Sequence, residues 1–240
     1  MEPRILITGD RAISVQMGNE ISLEVNQKVL ALQNELAEHP IEGITEMVPT
    51  YASLMIHYRP EKIRAKALME EVTNRFGKLK DTEKKEKVIR EVPILYGGEL
   101  GPDLELCAEL EKTTVDEIIR KHSQHDYYVY MLGFAPGHPY SARFEEPFSF
   151  KRRETARINI PARSVVVQQN LSDLIPFDQP CGWNIIGSTP LTICDYKKED
   201  PFLVHAGEWV RYIPVTQKEY DEIRKADEAG TYKVNVIRTF

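Results

Sequence analysis

A run of charged residues at positions 78–87, Lys-Leu-Lys-Asp-Thr-Glu-Lys-Lys-Glu-Lys, interrupts the apolar patterning of this chain of 240 residues. It follows Phe76 and Gly77, a pair that favours the end of a helix. Such a run contributes almost nothing to a core, and it is typical of a solvated linker or helix end rather than of a binding patch. The sequence therefore predicts two domains, at 1–77 and 88–240, joined by a linker at 78–87.

The N-terminal part has the pattern of a small α/β domain. Short apolar segments at 5–7, 13–15, 44–48 and 54–56 read as strands. Between them, two apolar stripes recur at spacings of three and four residues, which places each stripe on one helical face. The order strand, strand, helix, strand, strand, helix predicts an α+β sandwich with both helices on one face of an antiparallel sheet. The stripes are Val25, Val29, Leu32 and Leu36, and then Ala65, Leu68, Val72 and Phe76 in a segment that Pro60 opens and Gly77 closes.

The C-terminal part is mostly strand and turn. Helices are predicted at 104–111, from Thr113 or Thr114 to about His122, and at 217–228. Many short strands separated by Gly and Pro favour either a barrel or a sandwich. The strands are predicted at 88–95, 127–134, 164–168, 183–186, 191–194, 209–213 and 232–237.

Composition narrows the class of protein. The net charge of −6 at pH 7 argues against nucleic acid as a partner, because phosphate binding needs a basic surface. No apolar stretch is long enough for a membrane span or a signal peptide, so we expect a soluble cytoplasmic protein. The odd number of cysteines includes no Cys-x-x-Cys pair, and the histidines have no ligand partners at familiar spacings, so no metal site is predicted.

The chain lacks two common catalytic motifs. No glycine-rich loop ends in Gly-Lys-Ser or Gly-Lys-Thr, so the chain is not expected to bind ATP by itself. No Gly-x-Ser-x-Gly elbow is present either, which argues against a self-contained serine hydrolase.

The segment at 130–140 is the richest in turn-forming residues. Its two Gly and two Pro residues predict a rigid turn that places His138 and Tyr140 at a surface edge, as a site element or as a plain tight turn.

Several charged residues have both a structural and a functional interpretation. Lys151, Arg152, Arg153 and Arg157 could hold a carboxylate or form a solvated basic loop. Glu99 and Asp103 precede a helix, where acids cap the N-terminus or act in catalysis. His122 at a helix end could interact with the helix dipole or carry a proton.

Together these stretches resemble the family of the 5-oxoprolinase B subunit, also called allophanate hydrolase subunit 1, whose bacterial members include an inhibitor of a sporulation histidine kinase. The resemblance covers almost the whole chain. It rests on matches at 9–12, 48–51 with Leu54, 98–104, 122–123, 128–129, 133–137, 160–162, 182–183, 186–187, 189–190 and 207–214.

The resemblance implies a cyclophilin-like β-barrel after the N-terminal domain. It also implies one subunit of an ATP-dependent enzyme that opens the cyclic amide of 5-oxo-L-proline to L-glutamate, with two other subunits as partners and ATP bound by them or shared with them. The candidate catalytic residues are His122, Glu99 and Asp103. The candidate substrate-binding residues are Gly133, Phe134, Pro136, Gly137, Tyr140, Arg152, Arg157, Trp183 and Thr189.

The chain departs from the family pattern around this predicted site. Arg163, Gln169 and Asp173 stand where the pattern has glycine, His138 stands where it has phenylalanine, and Ser188 replaces an arginine. Bulkier groups in place of glycine fill space that a ligand could use. The replacements favour a further hypothesis, a scaffold that has lost its ligand site.

The alternative function is inhibition of a sensor histidine kinase by blocking its autophosphorylation. In that hypothesis the barrel docks on the helices of the kinase, and Tyr140, Phe144 and Phe148 supply the buried anchors of the interface.

Overall fold

The computed structural model describes residues 3–79, 86–143 and 147–239. The chain divides into two compact units, Met1–Lys85 and Glu86–Phe240. Most of the linker predicted at 78–87 falls on residues 80–85, which lie outside the described residues. Across the described ranges, no helix is both long enough and apolar enough to cross a membrane.

The first unit is an antiparallel sheet in the order β1-β2-β4-β3, covered by two helices, so the predicted α+β sandwich is confirmed. Its core joins Ile13, Val15, Leu54 and Ile56 of the central strands to the apolar stripes of both helices. The elements are β1 (Arg4–Ile7), β2 (Ala12–Gln16), α1 (Leu23–Glu38), β3 (Ile44–Pro49), β4 (Ser53–Tyr58) and α2 (Ala65–Lys78).

The second helix differs from the prediction at both ends. Pro60 does not open it, because the chain first turns back through hydrogen bonds from the Lys62 and Ile63 amides to the Arg59 carbonyl. The helix begins at Ala65 and includes Gly77, which was predicted to end it. A single glycine near a helix end costs only about 1 kcal/mol, which the buried Leu68 and Val72 can offset.

The second unit contains a closed barrel of seven strands, in the order β5-β13-β6-β7-β10-β9-β12 and back to β5. The sequence left barrel and sandwich open, and the barrel that the resemblance implied is confirmed. The elements are β5 (Lys87–Tyr96), α3 (Leu104–Glu111), α4 (Val115–Ser123), β6 (Asp126–Leu132), β7 (Pro139–Ala142), β8 (Arg157–Ile160), β9 (Ser164–Gln168), β10 (Leu171–Leu174), β11 (Gln179–Cys181), β12 (Asn184–Ser188), β13 (Trp209–Pro214), α5 (Gln217–Glu228) and β14 (Val236–Thr239).

Closure depends on the ten-residue strand β5. It pairs in parallel with β13 along most of its length. Its first half pairs with β14, and its last residues, Leu95 and Tyr96, pair with Ser188 and Gly187 of β12. Since one strand joins both ends of the curved sheet, no barrel edge is left unpaired between β5 and β12.

One predicted strand is absent, and another begins later than predicted. Residues 191–194 form no strand, and Cys194 makes only an isolated bridge to Phe202. The strand predicted at 232–237 begins at Val236, because only Val236–Thr239 reaches the open part of β5. Outside the barrel, β8 and β11 form a separate two-stranded ribbon, which we call the β8–β11 ribbon.

Candidate functional site

The glycine-rich turn at 96–103 places Asp103 against β12. A Cβ atom at Gly101 would overlap the backbone of Ile186, so the close approach of the turn requires glycine at this position. The Asp103 amide then donates to the Ile185 carbonyl at 3.0 Å, and the Ile185 amide donates to the Asp103 carboxylate at 2.8 Å. The carboxylate is therefore buried at the start of α3.

Two arginines neutralise this carboxylate. Arg157 donates to both of its oxygens, at 2.7 and 2.8 Å, and Arg153 donates to one of them at 2.8 Å. The hydrogen bonds with Asp103 raise the pKa of Arg157. With the Ile185 amide, these donors occupy about the four acceptor sites that a carboxylate has. The geometry thus makes Asp103 a counter-ion, and its side chain does not cap α3.

The β8–β11 ribbon connects the predicted arginines with the predicted turn. Arg157 of β8 pairs with Cys181 of β11. Gln179, two residues before Cys181, hydrogen-bonds through Nε2 to Nδ1 of His138 at 3.0 Å. Arg152 lies against Gly182, where a Cβ atom would meet its Nε. β11 and the Gly182 that follows it therefore contact the turn at 133–140 and both candidate arginines.

His138 is buried rather than placed at a surface edge, which corrects the prediction. It is 7% exposed and lies 3.3 Å through Nε2 from the carboxylate of Asp173, which is itself fully buried. Its ring stacks on Tyr140 with 5.1 Å between centroids. Burial raises the pKa of Asp173, although the hydrogen bond from His138 opposes this. His138 and Asp173, which both depart from the family pattern, are thus in contact with each other.

His122 lies elsewhere. It is completely buried, hydrogen-bonded to the Tyr96 hydroxyl at 2.6 Å and to the Ser172 hydroxyl at 2.8 Å, and it stacks on Tyr212. Burial, together with the charge of Arg143, lowers the pKa of His122 well below its ordinary value. Ser172 and Asp173 are consecutive in β10, so their side chains emerge on opposite faces of the strand. His122 is therefore separated by β10 from the group around His138.

The remaining predicted residues divide between surface and interior. Glu99, Phe134 and Pro136 are exposed, and Trp183 is partly buried. Thr189 is completely buried, and its amide donates to the Arg163 carbonyl at 2.9 Å.

The turn closes through the amide of Gly133, which donates to the His138 carbonyl at 3.0 Å. Gly137 has φ of +77°, and a Cβ atom there would press on Cys194 and Phe202. In the parts of the chain that the structure describes, no three His, Cys, Asp or Glu side chains form a group that could hold a metal ion.

A pocket of about 450 Å³, which the sequence reasoning did not predict as a site, opens beside the end of the β8–β11 ribbon. Glu99 is the one predicted site residue among those that line it. Arg163 and Ser188, two of the departures from the family pattern, also line it, and the Ser188 hydroxyl donates to the Arg163 carbonyl at 3.1 Å. These two replacements were the sequence signal for the pocket, but their contact is visible only in the folded chain.

Comparison with known protein families assigns the chain to one of them. The carboxyltransferase domain family, subdomain C and D, matches residues 3–204. The chain belongs to this family. The match includes both units up to the segment before β13, and so it covers the turn at 96–103, the β8–β11 ribbon and most of the pocket wall.

Curated relatives confirm the resemblance. The B subunit of 5-oxoprolinase from Bacillus subtilis (strain 168) is 32% identical over 222 residues, which are 88% of this chain and 92% of the relative. The corresponding 5-oxoprolinase B subunit of Escherichia coli O157:H7 is 29% identical over 90% of this chain and 97% of the relative. These two alignments thus cover more than nine tenths of each relative.

A solved structure shows the same fold within a larger enzyme. The urea carboxylase of Kluyveromyces lactis superposes on 99% of this chain with a TM-score of 0.79 and 18% sequence identity. This chain spans 24% of that enzyme. At such low identity, the likeness shows the fold alone.

Proposed function

We propose that this chain is one subunit of an ATP-dependent 5-oxoprolinase, which opens 5-oxo-L-proline to L-glutamate together with two partner subunits. One observation carries the proposal: proteins named as the B subunit of 5-oxoprolinase match most of this chain and more than nine tenths of their own length. The family match at 3–204 agrees with a subunit of an enzyme complex of this kind.

The ribbon offers chemistry that suits such a substrate. 5-Oxoproline carries a carboxylate and a cyclic amide, and guanidinium groups bind carboxylates through paired hydrogen bonds. Arg157 is neutralised by Asp103, whereas Arg152 is a separate cation that lies against Gly182, just after β11. In the proposal, Arg152 orients the substrate beside Tyr140, and the ion pairs of Asp103 with Arg153 and Arg157 hold the ribbon in place.

This chain is a poor candidate for the ATP site. The glycine-rich turn before α3 exposes Glu99, whose carboxylate repels a phosphate group, and the cations beside Asp103, Arg153 and Arg157, are already paired with that residue. We therefore assign ATP to the partner subunits. The nucleotide would activate the amide oxygen, because an unactivated amide resists attack by water.

Reconstitution tests the proposal. The chain is mixed with the two partner subunits from the same organism, ATP and 5-oxo-L-proline, and the release of glutamate is measured. We expect release only when all three subunits and ATP are present, and a higher KM for 5-oxoproline with Arg152→Gln. Release at the same rate without this chain would contradict the proposal. Lys151→Gln, which changes the neighbouring exposed cation, is the matched control.

The alternative of kinase inhibition has no support from the relatives' names or from the proposed anchors. Phe148 is 2% exposed and stacks on Phe150 in the barrel core. Tyr140 is partly buried against His138, and Phe144 lies outside the described residues.

A further inference from the structure

The pocket of about 450 Å³ has the size and lining of a small-molecule site. Its apolar wall includes Pro102, Pro161, Ile185 and Ile193. Elements distant in sequence form this wall, which makes the cavity a product of the barrel rather than of one flexible loop. An apolar ring or short chain would fill it and displace water.

Arg163 provides a cation on one side of this pocket. Its Nε donates to the Leu191 carbonyl at 3.2 Å, and its Nη2 donates to the Thr192 hydroxyl at 2.8 Å. Within the described residues, the carboxylate oxygens nearest to it belong to Asp227 and Glu228, at 3.7 and 3.9 Å, which exceeds hydrogen-bonding distance. The charge of Arg163 is therefore only partly compensated.

The neighbouring side chains explain this incomplete compensation. Asp227 accepts hydrogen bonds from the amide and hydroxyl of Thr192, at 2.8 and 2.7 Å. Glu228 accepts from Nε of Arg224 at 2.6 Å. Burial, together with the positive charge of Arg224, lowers the pKa of Arg163, although Asp227, Tyr220 and Glu228 oppose this. An anion between the two guanidinium groups would relieve both costs.

The charges around the pocket also limit the ligand. Glu99 and Asp178 line the pocket with Arg163 and Arg224, and Asp227 and Glu228 lie 3.7 and 3.9 Å from Arg163, so the acids of this group outnumber its two arginines. Each negative charge on a ligand adds repulsion from these acids, so a single carboxylate held by the arginines is favoured over a doubly charged phosphate. Tyr220 and Ser188, whose hydroxyls lie 3.2 Å apart, offer hydrogen bonds to a polar group on the ligand.

We propose that this pocket binds a small organic monocarboxylate with an apolar body, whose carboxylate lies between Arg163 and Arg224. The proposal stands on the pocket and does not depend on the reaction proposed above. The arginines that bind the ligand carboxylate here differ from Arg152 and Arg157, the arginines predicted to bind the substrate of the proposed reaction.

Titration calorimetry of the full chain tests this assignment with four probes: benzoate, 5-oxo-L-prolinate, the carboxamide of 5-oxo-L-proline, and inorganic phosphate. The first variant is Arg163→Gly, chosen because glycine suits the φ of +73° at this position. The second is Arg224→Gln, at a partly exposed helix position, which keeps the test valid if the first variant misfolds. Lys218→Gln on the same helix is the control, because Lys218 does not line the pocket.

We expect at least one monocarboxylate to bind the wild-type chain. Its affinity should be at least about tenfold weaker in either arginine variant and unchanged in the control. The carboxamide and phosphate should bind about tenfold more weakly than that monocarboxylate. The proposal would be overturned if neither monocarboxylate bound, if the carboxamide bound as tightly as the monocarboxylate, or if Arg224→Gln bound the monocarboxylate as tightly as the wild-type chain does. If benzoate binds and 5-oxoprolinate does not, the proposed carboxylate site is still supported. The proposed reaction is tested separately by the glutamate assay.

Discussion

Arg157 holds both carboxylate oxygens of Asp103, at 2.7 and 2.8 Å, across a sequence separation of 54 residues. This pair joins the start of α3 to the β8–β11 ribbon, which lies outside the barrel sheet. Because Asp103 is 3% exposed, the pair also holds a carboxylate in the interior of the second unit.

Asp103→Asn should destabilise the second unit by about 3 kcal/mol, since it leaves Arg153 and Arg157 without their counter-ion. Denaturant unfolding followed by tryptophan fluorescence measures this, because both tryptophans, Trp183 and Trp209, lie in that unit. Asp221→Asn, an exposed acid of α5, should change the free energy of unfolding by less than about 0.5 kcal/mol. Equal effects of the two variants would show that the buried pair contributes nothing.

His122 should make the second unit acid-sensitive. The folded chain keeps His122 neutral, because burial lowers its pKa well below the ordinary 6.5. The unfolded chain takes up this proton as the pH falls below 6.5, so the free energy of unfolding should fall by about 1.4 kcal/mol per pH unit below that value. His122→Gln should flatten the dependence between pH 6.5 and 5. His125→Gln is the control, and a profile unchanged by His122→Gln would contradict the assignment.

Glu208 should also make the fold sensitive to acid, but at lower pH than His122 does. Burial alone would raise its pKa, yet hydrogen bonds from His205 and Arg90 lower the pKa of Glu208 to about 2. Its contribution is therefore complete above pH 4.5 and is lost as the pH falls toward 2. We expect Glu208→Gln to cost about 2 kcal/mol at pH 7 after solvent screening, and less below pH 3. Denaturant unfolding at both pH values checks this; a constant difference between wild type and variant would disprove it.

Gln169→Gly should stabilise the chain by about 0.5 kcal/mol. Gln169 is exposed and has φ of +53°, a conformation that glycine adopts without the steric cost of a side chain. Gln168→Gly, one residue earlier in β9, should instead destabilise, because glycine weakens a strand. Thermal unfolding of both variants makes the comparison, and destabilisation by Gln169→Gly would argue that its side chain has an unrecognised role.

Local sequence was sufficient for elements whose stability depends on near neighbours. The helix predicted at 217–228 is α5, which begins at a capping box of Thr216 and Glu219. Helix α1 has the predicted apolar stripe and begins after Ser22, which caps it. Periodicity and capping act within a few residues, so both can be read from the chain without its partners.

Only the tertiary structure decided what meets across the barrel. The sequence could not place His138 against Asp173, or Arg163 beside Ser188. The members of each pair are far apart in the chain, and they meet only because β7 pairs with β10 and β9 pairs with β12. Contacts with Tyr96 of β5, Ser172 of β10 and Tyr212 of β13 bury His122, which its helix alone would leave free to face solvent. The sequence by itself determined the two domain types and the family, because those follow from local patterns and motif order. The site depended on non-local pairing, in which the order of strands in space differs from their order in the chain.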